Sequence, residues 1–136
     1  MLFKKSQNQK KVSQMLVEIT GDNFNIFEKI KHKAYGSPKY LILELNPTKF
    51  DIDFSAYTDL VYASIELRKK GIAIYFRHKN EEYIVASRYN QTSFISNDGI
   101  LQIQLDNHTL KMAVKDINGH SRFLAKYMEM RNYDAS

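Results

Sequence analysis

The stretch that decides the fold is VYASIELRKKGIAIYFRHKNEEYIVASRYNQTSFISNDGILQIQLDNHTLKMAVK, Val61 to Lys115. Apolar residues recur there with a period of two, and the runs are broken by short polar dipeptides, the pattern of strands joined by tight turns. Residues directly opposed in an antiparallel pair share a face, so a correct turn must set apolar against apolar. A turn at Lys69-Lys70 opposes Leu67 to Ile72, Ile65 to Ile74 and Ala63 to Phe76. A turn at Lys79-Asn80 opposes Phe76 to Tyr83 and Ile74 to Val85. Asp98-Gly99, a strong hairpin signal, places Phe94 against Ile103. A turn at Asn107-His108 sets Leu105 against Leu110, Ile103 against Met112 and Leu101 against Val114. The alternate positions Glu66, Arg68, Arg77, Gln102, Gln104, Lys111 and Lys115 predict a second, wet face.

Outward from this block the pattern changes. Leu41, Leu43 and Leu45 alternate in a strand that ends at Asn46-Pro47. Phe50–Asp59 reads as strand in its first half and as a helical turn in its second. Upstream, Phe24, Phe27 and Ile30 recur at helical spacing, and Gly36-Ser37-Pro38 ends that helix. Val12–Thr20 fits a strand or a helix, and residues 1–11 read as a basic polar tail. Downstream, Asn118-Gly119 breaks the sheet and Ser121 is positioned as an N-cap. Phe123, Leu124, Tyr127 and Met128 then form the apolar stripe of a terminal helix. The expectation is one α+β domain over residues 12–136, with an antiparallel sheet of about seven strands, an amphipathic C-terminal helix and an extra N-terminal helix.

Composition agrees. The chain has 136 residues, 43% of them hydrophobic, and no Cys, which is enough for one core without disulfide staples. The lack of Cys also removes thiolate metal sites and a cysteine nucleophile. No apolar run approaches a membrane span and no secretory leader is visible, so the expected location is the cytoplasm. The net charge of +5 is N-terminal: residues 1–39 carry eight Lys against Glu18, Asp22 and Glu28, and the rest balances. A basic N-terminal region serves nucleic acid or anionic lipid, or simply keeps a terminus solvated.

No motif names a chemistry. The G-x-x-x-x-G-K, G-x-G-x-x-G, G-x-S-x-G and H-E-x-x-H patterns are all absent. None of His32, His78, His108 and His120 has a second His or a carboxylate three or four residues on within a helix, so no metal or other cofactor is expected. Asp51 and Asp53 supply too few oxygens for a calcium site. Arg77, His78 and Glu81, at one hairpin tip, are the residue types of a small endoribonuclease: cation, imidazole and carboxylate for acid–base work on a phosphodiester. A polar turn uses the same residues to stay wet. Arg68, Lys69 and Lys70 form a basic tip where cations and turn N–H groups can hold an anion. Lysines at such a tip also guard a sheet edge.

Over residues 40–131, the order of short strands ending in Ile100–Asp106, Thr109–Lys115 and the helix Ser121–Arg131 resembles the pleckstrin-homology-like barrel, in particular its small bacterial versions. The resemblance lies in element order and carries no signature residue. It implies two near-orthogonal sheets closed by the terminal helix, and a basic hairpin gripping an anionic headgroup, here Arg68-Lys69-Lys70. The reading that follows is a non-catalytic binding or interaction module working through a protein partner or an anionic ligand, nucleic acid or lipid headgroup. The alternative is an RNA-binding protein or endoribonuclease using the basic N-terminal region and the sheet.

Overall fold

The computed structural model describes residues 2–4, 9–22, 36–47, 50, 52–54 and 60–135. Eight strands, β1 (Leu2–Lys4), β2 (Tyr40–Asn46), β3 (Tyr62–Leu67), β4 (Gly71–His78), β5 (Glu81–Arg88), β6 (Thr92–Asn97), β7 (Ile100–Leu105) and β8 (His108–Ala113), join two helices, α1 (Gln9–Thr20) and α2 (Ile117–Ala135). The strands form one antiparallel sheet in the order β1-β5-β4-β3-β2-β8-β7-β6. Two meanders, β2 to β5 and β6 to β8, are thus joined where β2 pairs with β8. A bulge between Ile42 and Glu44 marks that seam, where an extra residue bends and twists a strand.

The hairpin registers follow the apolar oppositions. Leu67↔Ile72, Ile65↔Ile74, Ala63↔Phe76, Ile74↔Val85, Phe76↔Tyr83 and Phe94↔Ile103 are all paired. Lys79 and Asn80, and Asp98 and Gly99, take positive φ, as tight hairpin turns with the sheet's own twist require. The last hairpin differs from expectation. It turns at Asp106-Asn107, pairing Leu105 with His108, Ile103 with Leu110 and Leu101 with Met112. A slip of two residues leaves every side chain on its face, so burial alone does not choose between the two registers. Asp106 adopts the left-handed conformation the turn needs, at φ 47°.

One core cluster gathers Ile65, Ile74 and Val85 with Leu101, Ile103, Leu110 and Met112, and α2 adds Phe123, Tyr127 and Met130. Leu124 is half-buried against it, but Met128 is 46% exposed. The helix starts earlier than Ser121: Asp116 Oδ1 accepts the Gly119 N–H at 2.9 Å, and Asp116 is the N-cap. The buried stripe of the helix runs through His120, Phe123, Tyr127 and Met130, with Met128 outside.

A second cluster lies on the other side of β4 and β5. Ala73, Ile84 and Ala86 are buried there beneath Phe3, Val12 and Leu16. The face expected to be wet is therefore covered in part by α1. Residues 1–11, expected as a polar tail, contribute strand β1 and the first turn of α1. Leu2 pairs with Val85 and enters the main core, while Phe3 pairs with Ile84 and enters the second cluster. A helix, α1, lies at 9–20; the extra N-terminal helix expected at Phe24–Ile30 lies outside the described residues, as do His32 and Asp51.

Candidate functional site

The basic hairpin tip is built as a joint. Arg68 is 7% exposed. Its Nη1 meets Glu66 Oε1 at 2.8 Å and its Nε donates to the Gly21 carbonyl at 3.1 Å. The backbone N–H of Lys70 donates to Thr20 at 2.7 Å, and that of Lys69 to Asp22 at 3.2 Å. Those donors, the ones an anion in the turn would use, hold the C-terminal end of α1 instead. Gly21 closes α1 at φ 73°, and an added Cβ would lie 3.0 Å from the Lys70 side chain. Gly71 follows because β5 passes so close that a Cβ would sit 2.2 Å from the Ser87 carbonyl oxygen. The Lys69 and Lys70 side chains remain exposed.

Arg77, His78 and Glu81 do not converge. Successive residues of a strand point to opposite faces. Phe76 faces the core, so Arg77 projects outward, beside Glu82 at 4.0 Å. His78 turns back to the inner side opposite Glu81, and is 7% exposed. The sheet itself separates the cation from the imidazole and the carboxylate.

His120 forms a polar node that its sequence context does not announce. Its Nδ1 lies 2.7 Å from the Tyr40 hydroxyl and its Nε2 lies 2.8 Å from Ser96 Oγ. One imidazole thus ties α2 to β2 and β6. Burial lowers the His120 pKa from 6.5, because a low-dielectric site disfavours the charged ring. Burial, then the nearby Asp116 carboxylate, raises the Tyr40 pKa. A neutral imidazole bonded on both nitrogens is a structural fastener. Thr92 Oγ1 does similar work deeper in, bridging the Tyr89 carbonyl at 2.8 Å and the Tyr127 hydroxyl at 2.5 Å.

The outer face beyond α1 has a different character. Tyr62, Ser64, Tyr75, Arg77, Glu82 and Lys39 line a recess of about 270 Å³. Sheet register assembles it from distant residues. Ser64 pairs with Tyr75 and Arg77 with Glu82. Continuing the Ala63↔Phe76 and Tyr40↔Ala63 registers by one step sets Tyr62 beside Arg77 and Lys39 beside Ser64. Tyr62 is 44% exposed, Lys39 is exposed and the Arg77 side chain is 66% exposed. The Tyr75 hydroxyl donates to Glu66 Oε1 at 3.2 Å, which fixes its ring. Burial, with the Glu66 charge next, pushes the Tyr75 pKa up to about 12. Of these residues only Arg77 is flagged by sequence motif. Two tyrosines at outward positions of the alternation, Tyr62 and Tyr75, are the signal that leads to the rest.

Among the described residues no group of three or more His, Asp or Glu is gathered as a metal site, and no helix is long and apolar enough to cross a membrane. Comparison with protein-family models, curated proteins and solved structures found no match to this chain.

Proposed function

We propose that this chain is a non-catalytic binding module of pleckstrin-homology-like build, and that it takes an anionic ligand on the outer face of its sheet. The strand order β5-β4-β3-β2-β8-β7-β6 with one helix after β8 supports the build, while the strands form one continuous sheet where the resemblance implies two. The observation that carries the function is the recess between Lys39 and Arg77. Two exposed cations there, Lys39 just before β2 and Arg77 beside Glu82 on β4, flank an open surface of paired strands, and charge on a preorganised frame binds at little ordering cost. The hairpin tip supports this less well, since Arg68 and the Lys69 and Lys70 N–H groups are engaged within the fold. The endoribonuclease alternative needs Arg77, His78 and Glu81 to act on one phosphate, and they lie on two faces.

Affinity for polyphosphate at low salt tests the reading. Reversing charge in the recess, Lys39→Glu with Arg77→Glu, weakens binding about tenfold or more, as the loss of two phosphate contacts implies. Lys69→Glu with Lys70→Glu changes it little. The opposite ranking moves the site to the hairpin tip. RNA incubated with the purified protein stays intact, and cleavage abolished by His78→Ala overturns the non-catalytic assignment.

A further inference from the structure

Resting on the anion-binding reading of the same recess, we infer that its ligand is single-stranded nucleic acid, with bases stacked on Tyr62 and Tyr75 and phosphates held by Lys39 and Arg77. A bare polyanion would need only cations. This recess places two aromatic rings between its cations and adds a carboxylate, Glu82, that a purely anionic ligand would avoid. A nucleotide answers all three features. Its base has a π-face for a tyrosine, its phosphate pairs with Lys or Arg, and base amino groups donate to a carboxylate.

The geometry suits a single strand. Tyr62 stands beside Arg77, two residues along β4 from Tyr75. Their positions are thus diagonal neighbours on one sheet face, about 7–8 Å apart along the backbone. Aromatic side chains at neighbouring positions of an open sheet stack successive unpaired bases, whereas a duplex keeps its base faces buried. The Tyr75 ring is held by its bond to Glu66 and by the flank of the second core cluster, so it is preorganised. Lys39, before β2, lies on the opposite side of the ring pair from Arg77. A backbone crossing β3 and β4 meets one cation at each end. An acidic peptide fits less well, because it offers no sequence-independent ring and sets carboxylates beside Glu82.

Fluorescence anisotropy with oligouridylate and oligothymidylate dodecamers at low salt decides it. The intact chain binds at least one of them, and the tighter of the two identifies RNA or DNA as the source. Tyr62→Ala weakens binding about tenfold, while Tyr62→Phe, which keeps the ring, stays within about twofold. Arg77→Gln lowers the slope of log affinity against log salt by about one. Oligonucleotide binding indifferent to Tyr62→Ala, alongside polyphosphate binding lost in Lys39→Glu with Arg77→Glu, overturns the nucleic-acid inference and leaves the anion site standing. If neither polyphosphate nor the dodecamers respond to the charge reversal, both readings fall. A Tyr-containing acidic peptide that outcompetes the dodecamers also overturns the inference.

Discussion

Arg68 shows how far a residue's role can lie from its sequence neighbourhood. Read in the run Arg68-Lys69-Lys70, it is a surface cation at a turn. In the fold its guanidinium joins Glu66 on β3 to the Gly21 carbonyl that ends α1. Nothing near Arg68 in the chain reveals that contact, because its partner is 47 residues away. Arg68→Ala removes these two hydrogen bonds and lowers stability by about 2 kcal/mol in a urea titration. A loss as small as that of Lys69→Ala would show that the joint carries no load. His120 makes a prediction with a sign. Its folded pKa lies below 6.5, so between the two values the unfolded chain holds more protons than the folded one. Stability is full above about pH 6.5, the unfolded His value, and falls as pH drops from there toward the folded pKa. Urea midpoints from pH 8 to 5 should decline in the natural protein and decline less in His120→Gln. Parallel curves would mean that His120 is not the group responsible.

At the scale of elements, local pattern and long-range packing divide the credit. The β3–β4, β4–β5 and β6–β7 registers were legible because each turn leaves only one way to oppose apolar residues. The β7–β8 register was not, because Leu101, Ile103, Leu105, Leu110 and Met112 stay on the core face under a slip of two. Val12–Thr20 fits a strand or a helix by its own pattern, and it is helix α1, whose stripe Val12, Met15, Leu16 and Ile19 packs on Ala73, Ile84 and Ala86 facing outward. Small outward residues in two adjacent strands are the trace of a covering helix, and they read locally as ordinary strand. β1 is only three residues long, too short for any periodicity. The recess was equally scattered, across Lys39, Tyr62, Tyr75 and Glu82, and only the sheet register unites it. Packing gives these elements a measurable weight. Phe3→Ala, which strips the second cluster of its largest buried side chain, should cost about 3 kcal/mol, and Phe123→Ala on α2 about 4 kcal/mol. Phe3→Ala costing under about 0.5 kcal/mol would mean that β1 and α1 are not fastened to the sheet.

The whole molecule separates the work of folding from the work of binding. Its inner face and α2 enclose the main core, and the His120 and Thr92 nodes fasten the helix to the strands. On the outer face α1, with Phe3 of the edge strand β1, packs over Ala73, Ile84 and Ala86 of β4 and β5, and Tyr62, Ser64, Tyr75 and Arg77 line the recess beyond it. Packing seals part of that surface, and the uncovered part brings rings and cations together on and beside paired strands. Mapping the ligand by amide chemical shifts tests this most directly: the ¹⁵N-labelled chain titrated with an oligouridylate dodecamer at low salt. The largest shifts should fall on Lys39, Tyr62 to Ser64, Tyr75 to Arg77 and Glu82, with the Lys69-Lys70 turn and the His78–Glu81 pair little changed. Shifts centred on either of those hairpin tips, or none anywhere, would contradict the assignment of the outer face as the binding surface.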